Sequence, residues 1–481
     1  MRGRPPAAAK PGSAGRGLAV EGRLALAALR GSGPPPPLDT AKGKEVVVRA
    51  GPLSPDGRPV VTAQVQHFER GRVLSGDGAE ALAVAAGLAV ERRLPLVCVL
   101  TSSGQDLGEG VAALDGWGRA AKAFSRCSGV VPVLAVLDGP LLSGPALLLG
   151  LADAVVMTPR ALAYISGPAA VAEVTGVPVR PSELGGASVH STRSGLATVV
   201  VRDEAGAFEA VDQLLGFLPA HCDELPPVEV PRDPASRSTP ELAEVVPALA
   251  TGSYDVRRVI AAIADDGELV ELRAGWAAQL VTALVRVAGQ PVGVLANQPQ
   301  AMAGTLDIAA SQKGARFVAF CDSFNLPLLT IVDTPGFMPG RDLEWRGMIR
   351  HGAELVFAYA EATVPRVCLV LRKAYGGAYI VMDSKAMGND LCIAWPSAEV
   401  AVMGAEGAVR IVHRAADDAK RAELADEYRE KWLNPYAAAE RGYVDLVIDP
   451  AETRQTVARC FSVLGTKRER LVARKHANSP L

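Results

Sequence analysis

The first half of this chain recurs in its second half, in order and at a nearly fixed spacing, and that repetition restricts the fold more than any single motif does. Asp56-Gly57-Arg58-Pro59-Val60 corresponds to Ala288-Gly289-Gln290-Pro291-Val292, and Leu94-Pro95-Leu96 to Leu326-Pro327-Leu328, both at an offset of 232. Leu100-Thr101-Ser102-Ser103-Gly104 keeps that offset to Val332-Asp333-Thr334-Pro335-Gly336. At 233, Val131-Pro132 meets Val364-Pro365 and Ser143-Gly144-Pro145 meets Gly376-Gly377-Ala378. Asp153, Pro159 and Gly167 then align with Asp390, Pro396 and Gly404 at 237. Ordered matches of strand starts and glycine turns over such a distance indicate a duplicated domain. Strand-like runs (59–66, 95–100, 132–137) alternate with Ala-rich helical stretches such as 79–91, and a second set begins near Val285. This alternation is the α/β pattern. Between the two sets lies a hinge of mixed Pro and acidic composition, residues 219–247, and a length of 481 suits two domains.

Composition removes several function classes. Fifty basic and 52 acidic side chains give a net charge of −2, which does not suit a nucleic-acid partner. The seven cysteines form no CxxC pair and several lie in apolar runs, so they read as reduced core residues, with no metal site. Every apolar run is interrupted by Pro, Gly or charge before it reaches a membrane-spanning length, so a soluble, cytoplasmic protein is expected. Residues 1–43 are rich in Pro, Gly, Ala and Arg and read as a disordered arm. Their arginine bias is shared by the rest of the chain and is a weak sign of a targeting leader.

Chemistry is concentrated at residues 364–409. Val364–Leu371 is apolar almost throughout, as in a strand buried on both faces, and it ends at Arg372-Lys373. Tyr375 and the run Gly376-Gly377-Ala378 follow, where missing Cβ atoms let backbone N–H groups approach a ligand oxygen. A helix starting there aims its unpaired amides at the same point, which is the arrangement of an oxyanion hole. The competing reading is a glycine pair that merely allows close helix–strand packing. Arg372, Lys373 and Tyr375 are at least as readily structural or solvated as functional.

Four stretches carry a family resemblance: VLANQPQAMAGTLDIAASQKGARFVAFCDSFNLPLLTIVDTPGFMPG (294–340), IRHGAELVFAYAEATVPRVCLVLRKAYGGAYIVM (349–382), AWPSAEVAVMGAEGAV (394–409) and NPYAAAERGYVDLVIDPAETR (434–454). They resemble the carboxyltransferase (beta) subunits of biotin-dependent acyl-CoA carboxylases, of the propionyl-CoA and acetyl-CoA carboxylase type. The resemblance implies two tandem crotonase-like ββα-superhelix domains, here 44–235 on the CoA side and 236–481 on the biotin side. It implies transfer of CO₂ from carboxybiotin, borne by a separate carrier protein, to the α-carbon of an acyl-CoA through a thioester enolate. Two oxyanion holes are then needed, one for the biotin oxygen at Gly376, Gly377 and Ala378, and one for the thioester at Ser143 and Gly144. Ile380 and Tyr375, with the aligned turn glycines Gly104 and Gly336, are assigned to substrate binding, Ile380 facing an alkyl group or else filling core. The implied partners are a biotin carboxylase or biotin carrier subunit and further copies, as a homo-hexamer or with a paralogous beta subunit. None of the eight methionines precedes a lysine, so biotin and ATP chemistry are expected on a partner chain.

The first half departs from the family pattern. DSGGAR is replaced by Thr101-Ser102-Ser103-Gly104-Gln105-Asp106, and GPCAGGA by Gly139-Pro140-Leu141-Leu142-Ser143-Gly144-Pro145, whose proline has no N–H. His190 is read as a structural loop histidine. Two other readings stay open: a decarboxylase or transcarboxylase on a related acyl thioester, and a half-catalytic scaffold subunit paired with an intact paralogue.

Overall fold

The computed structural model describes residues 45–54, 57–66, 73–247, 249 and 252–480. The expected arm, 1–43, lies outside the described residues. The first sheet is built from β1 (Val46–Pro52), β2 (Pro59–Val65), β3 (Leu96–Ser102), β4 (Val133–Leu142), β5 (Ala154–Met157), β6 (Leu162–Tyr164) and β7 (Val199–Val200), interspersed with helices α1 (Gly76–Arg92), α2 (Val111–Ser125), α3 (Leu147–Leu151) and α4 (Glu204–Phe217). After α5 (Val256–Ile263) comes the second sheet: β8 (Leu269–Leu272), β9 (Leu280–Val287), β10 (Gln290–Asn297), β11 (Leu328–Thr334), β12 (Arg366–Tyr375), β13 (Leu391–Ala394), β14 (Glu399–Ala401) and β15 (Leu446–Val447). Its helices are α6 (Ile308–Ser323), α7 (Met348–Glu361), α8 (Gly376–Val381), α9 (Ala405–Val412), α10 (Asp418–Trp432) and α11 (Thr453–Leu464).

The order β1-β2-β3-β4-β5-β7, with β6 on β4, is repeated as β9-β10-β11-β12-β13-β15, with β14 on β12. Strand β8 is an addition on the edge of the second sheet. The register is duplicated as well: Val61 faces Leu96 as Gly293 faces Leu328, and Leu134 faces Ala154 as Val367 faces Leu391. Even the irregularity between Leu100 and Ser102 recurs between Val332 and Thr334. Caps follow the same rule. Ser75 accepts from the Gly78 N–H at the start of α1, and Asp307 accepts from the Ala310 N–H at the start of α6. Beyond each helix a single left-handed residue turns the chain, Arg93 with φ 56° and Asn325 with φ 56°. This is the duplicated crotonase-like ββα arrangement.

The sheets are parallel apart from the pairs β1–β2, β8–β9 and β9–β10 and are covered on both faces, which is why their strands read as continuous apolar runs. Helices α1 and α2 cover the outer face of the first sheet. A shared core, including Val97, Leu134, Leu214, Phe317, Leu328 and Tyr359, fills the space between the sheets. Helices α5 and α11 cover the far face of the second sheet. The connecting segment is fixed by Arg454 of α11, a wholly buried guanidinium that donates to the Asp265 carboxylate at 2.6 Å and to the carbonyls of Asp233 and Pro234. All seven cysteines are free, and all but Cys222 are buried. Among the described residues no helix is long and apolar enough to cross a membrane, and no cluster of three or more His, Cys, Asp or Glu is placed to hold a metal.

Candidate active site

Strand β12 delivers its last residue, Tyr375, directly into α8. Gly376 takes φ +57°, and a Cβ there would meet the Val402 carbonyl oxygen at 3.0 Å, so this glycine is required by the turn itself. Gly377 is different. Its φ is ordinary, and a Cβ would meet only the Phe337 ring, at 3.6 Å, which is normal van der Waals contact. Nothing inside the described fold requires position 377 to be bare, so the absent side chain leaves room for something from outside. The N–H groups of Gly376, Gly377 and Ala378 occupy the first turn of α8, where no intrahelical carbonyl can accept from them. Gly377 is exposed and Ala378 wholly buried, so the amide on the open side of this turn, or cradle, is that of Gly377, which suits an oxygen that gains negative charge. The missing side chain at Gly377 leaves room beside that amide of the size a ligand oxygen such as biotin's ureido oxygen needs.

The equivalent turn at the end of β4 also leads into a short helix, beginning as a 3-10 turn over Gly144–Ala146, and has a different lining. Ser143 stands where the second half has Gly376 and holds φ 64°, ψ −146°, a conformation that almost only glycine adopts without strain. Its N–H is taken by the Tyr164 carbonyl at 2.9 Å. A Cβ on Gly144 would fall 2.6 Å from Gln105 Nε2 and 2.8 Å from the Trp117 ring, so here the glycine is required by its neighbours. Pro145 is buried in the first turn and supplies no N–H, at the place where Ala378 has one. The framing loops correspond in their backbone bonds. The Leu74 N–H donates to the Gly104 carbonyl as that of Leu306 donates to the Gly336 carbonyl, and Ser102 Oγ and Thr334 Oγ1 bond to the same two carbonyls. Gly104 (φ +129°) packs near Ser143 Cβ at 4.0 Å, while Gly336 (φ +146°) has open space on its Cβ side. In each half the neighbours of the cradle come from that same half.

The remaining residues separate cleanly. Ile380 is 39% exposed although Ala378, Tyr379 and Val381 around it are buried, so it lies on the open face of α8 and not in the core. The Tyr375 hydroxyl is committed to the Glu399 carboxylate, and burial together with that bond pushes its phenol pKa up. Arg372 is a buried clamp: it donates to Asp333 at 2.9 Å and to the Leu249 carbonyl at 2.8 Å, and its guanidinium lies 4.8 Å from the Tyr254 ring centre. Lys373 contributes its backbone N–H to Asp333. Both ring nitrogens of His190 are engaged, with Ser194 Oγ and with the Ala163 carbonyl, each at 2.8 Å, which makes it a loop fastener. Sequence reading missed Phe337, Gln105 and Trp117 as neighbours of the two cradles. It also missed the polar knot beneath α8, where Asp383, fully buried, pairs with Arg366 at 2.6 Å. Burial pushes the Asp383 carboxyl up to about 7.

Known proteins resemble this chain over most of its length. The Methylmalonyl-CoA carboxyltransferase 12S subunit of Propionibacterium freudenreichii subsp. shermanii is 45% identical over 434 residues, covering 88% of this chain and 82% of that protein. The propionyl-CoA carboxylase beta chain of Saccharopolyspora erythraea is 44% identical over 445 residues, covering 89% and 82%. A transcarboxylase 12S crystal structure, a hexamer with methylmalonyl-coenzyme A and methylmalonic acid bound, superposes with a TM-score of 0.88 at 40% identity, covering 97% of this chain and 94% of that one. With residues 45–479 also matching the carboxyl transferase domain, the chain belongs to the carboxyl transferase family and is an enzyme of the biotin-dependent acyl-CoA type.

Proposed function

We propose that this chain transfers a carboxyl group between the biotin of a carrier protein and the α-carbon of a short acyl-CoA, propionyl-CoA being the first acceptor to test, and that Gly376, Gly377 and Ala378 form the biotin side while Gly144, in the turn that Ser143 sets, holds the thioester side. The observation that carries this reading is the bare position at Gly377: the fold tolerates a side chain there, whereas an incoming oxygen does not. When bound, biotin supplies the carboxyl group and accepts the proton lost from the acyl α-carbon. The amides at the start of α8 would hold its ureido oxygen, where such donors favour negative charge. The turn after β4 does the same for the thioester oxygen as the α-proton departs. Ile380, on the open face of α8, sets an apolar wall beside the acyl chain, and Gly104 and Gly336 keep the framing loops close. Tyr375 acts through its bond to Glu399, holding the strand end where α8 begins.

The partner in this proposal is a biotin carrier and its ATP-dependent carboxylase, working in the cytoplasm, where buried free cysteines stay reduced. Copies assemble as a hexamer like that of the transcarboxylase relative, and the two holes of one site come from the N-terminal unit (44–235) of one protomer and the C-terminal unit (236–481) of another. The test is an assay of the purified protein with a carboxylated biotin carrier and a panel of acyl-CoAs. Carboxyl transfer to propionyl-CoA is expected. Absence of transfer to every acyl-CoA, with intact assembly and active carrier, would overturn the reading.

A further inference from the structure

The N-terminal cradle has lost one backbone donor and gained two side-chain donors beside it. Pro145 removes the N–H that its counterpart Ala378 retains. Gln105 projects from the loop after β3, and Trp117 from α2, and the two converge on Gly144. The place a Gly144 Cβ would occupy lies 2.6 Å from Gln105 Nε2 and 3.0 Å from Trp117 Nε1. At the equivalent Gly377 the neighbour that a Cβ would meet, among the described residues, is the apolar edge of Phe337. The amide of Gln105 is oriented, because Ser143 Oγ donates to its Oε1 at 3.3 Å and so turns the NH₂ end toward Gly144. The indole is orphaned: Trp117 Nε1 is buried and has no hydrogen-bond partner among the described residues. Burying a donor with nothing to receive its proton is unfavourable, and the arrangement becomes favourable when an acceptor enters.

We propose that Trp117 and Gln105 are catalytic residues of the thioester hole, donating from Nε1 and Nε2 to the acyl oxygen in place of the amide lost at Pro145. As the α-carbon C–H bond breaks, its electron pair moves onto the thioester oxygen. The proton passes to the base of the proposed reaction, the biotin brought by the carrier. The oxygen then receives the Gly144 N–H and the two side-chain N–H groups. Ser143 is a positioning residue in this scheme, and its strained φ is what places its hydroxyl on Gln105. The same pairing explains why Gly144 must lack a side chain, since a Cβ would push both donors away.

The inference rests on the proposed acyl-CoA reaction, and the experiment separates the two. The probe is a CoA thioether whose nitroalkyl group ionises to a nitronate, which puts negative charge where the enolate oxygen would carry it. Its affinity is compared with that of propionyl-CoA, on the assembled full-length protein. Trp117→Phe and Gln105→Met should each weaken nitronate binding by roughly 10-fold to 10²-fold while leaving propionyl-CoA binding within about twofold. Adding Pro145→Ala to Trp117→Phe should recover most of the loss, because it restores a backbone donor. Wild-type preference for the nitronate with no change in either variant would overturn the proposal and leave the reaction standing. Equal loss of both ligands in Trp117→Phe, without recovery by Pro145→Ala, would assign the indole to packing and overturn it as well. A wild-type protein that binds the nitronate no better than propionyl-CoA would overturn both this hole and the acyl-CoA reading.

Discussion

Two glycines at equivalent places in the repeat, Gly144 and Gly377, are bare for opposite reasons, and this is testable one atom at a time. At Gly377 a Cβ meets only a ring edge at 3.6 Å, so Gly377→Ala and Gly377→Val should fold and assemble normally. Gly377→Val should still lose carboxyl transfer by about 10² to 10³, the usual cost of one oxyanion donor. Transfer assays beside thermal melts would check this, and unimpaired turnover would place the biotin hole elsewhere. At Gly144 the same added atom falls 2.6 Å from an amide nitrogen and 2.8 Å from an indole ring. Gly144→Ala should therefore cost stability itself, about 1 to 3 kcal/mol by the usual penalty of overpacking. Ser143→Gly should act in the other sense, adding about 1 kcal/mol by relieving the φ 64°, ψ −146° backbone. A denaturation midpoint unchanged by Ser143→Gly would show that the serine is not strained. Much of this was legible beforehand: the glycine pair, its serine-proline counterpart and the lost N–H all stand in the sequence. The neighbours were not, because Gln105 and Trp117 reach Gly144 through tertiary packing, across sequence separations that carry no periodic signal.

Short helix α8 does two things at once, and its two faces predict separate effects. Its open face shows Ile380, so Ile380→Asp should leave assembly intact and weaken use of longer alkyl acyl groups, an unpaired carboxylate being costly beside an apolar chain. An unaltered chain-length profile in the acyl-CoA assay would remove Ile380 from the pocket wall. Its buried end rests on Asp383, whose Oδ2 has no hydrogen-bond partner among the described residues and so is free to carry a proton. Because burial raises this carboxyl from 3.8 to about 7, the folded chain binds more protons than the unfolded one between those values. Stability from this group is present below that window and is lost as pH rises through it, by up to about 1.4 kcal/mol per pH unit. Asp383→Asn should flatten that slope, read as urea midpoints at pH 5 and pH 8 for both proteins. Parallel pH dependences would show that Asp383 is ionised throughout. The strand–glycine–helix unit was readable from residues 364–382 because its apolar run and glycines are local signals. The knot beneath it was not, since Arg366 looks like a surface residue until its 3% exposure and its bond to Asp383 are seen.

At the scale of the whole molecule, the duplication was visible as an offset of 232 to 237 residues and reappears in strand order, register, caps and even the bulges. Edge strand β8 and the Arg454 clamp on the connecting segment were not visible, because neither belongs to the repeat. A duplicated chain with one cradle at the end of β4 and another at the end of β12 raises the question of which two cradles share a substrate. If each site joins the first half of one protomer to the second half of another, defects placed in different halves should complement. Gly377→Val disables the second cradle, and Gly144→Ala the first. In a two-fold pair holding one chain of each kind, one site collects both defects and the other collects none. With random mixing half of the pairs are mixed, so co-assembled variants should regain about a quarter of wild-type transfer, by the symmetry of such an interface. Separately purified oligomers mixed without exchange should stay inactive, and size-exclusion chromatography would confirm that each variant assembles. If both cradles of a site came from one chain, no mixture would recover activity, because every chain would carry a defect. A co-expressed sample as inactive as its parents would therefore exclude the shared site.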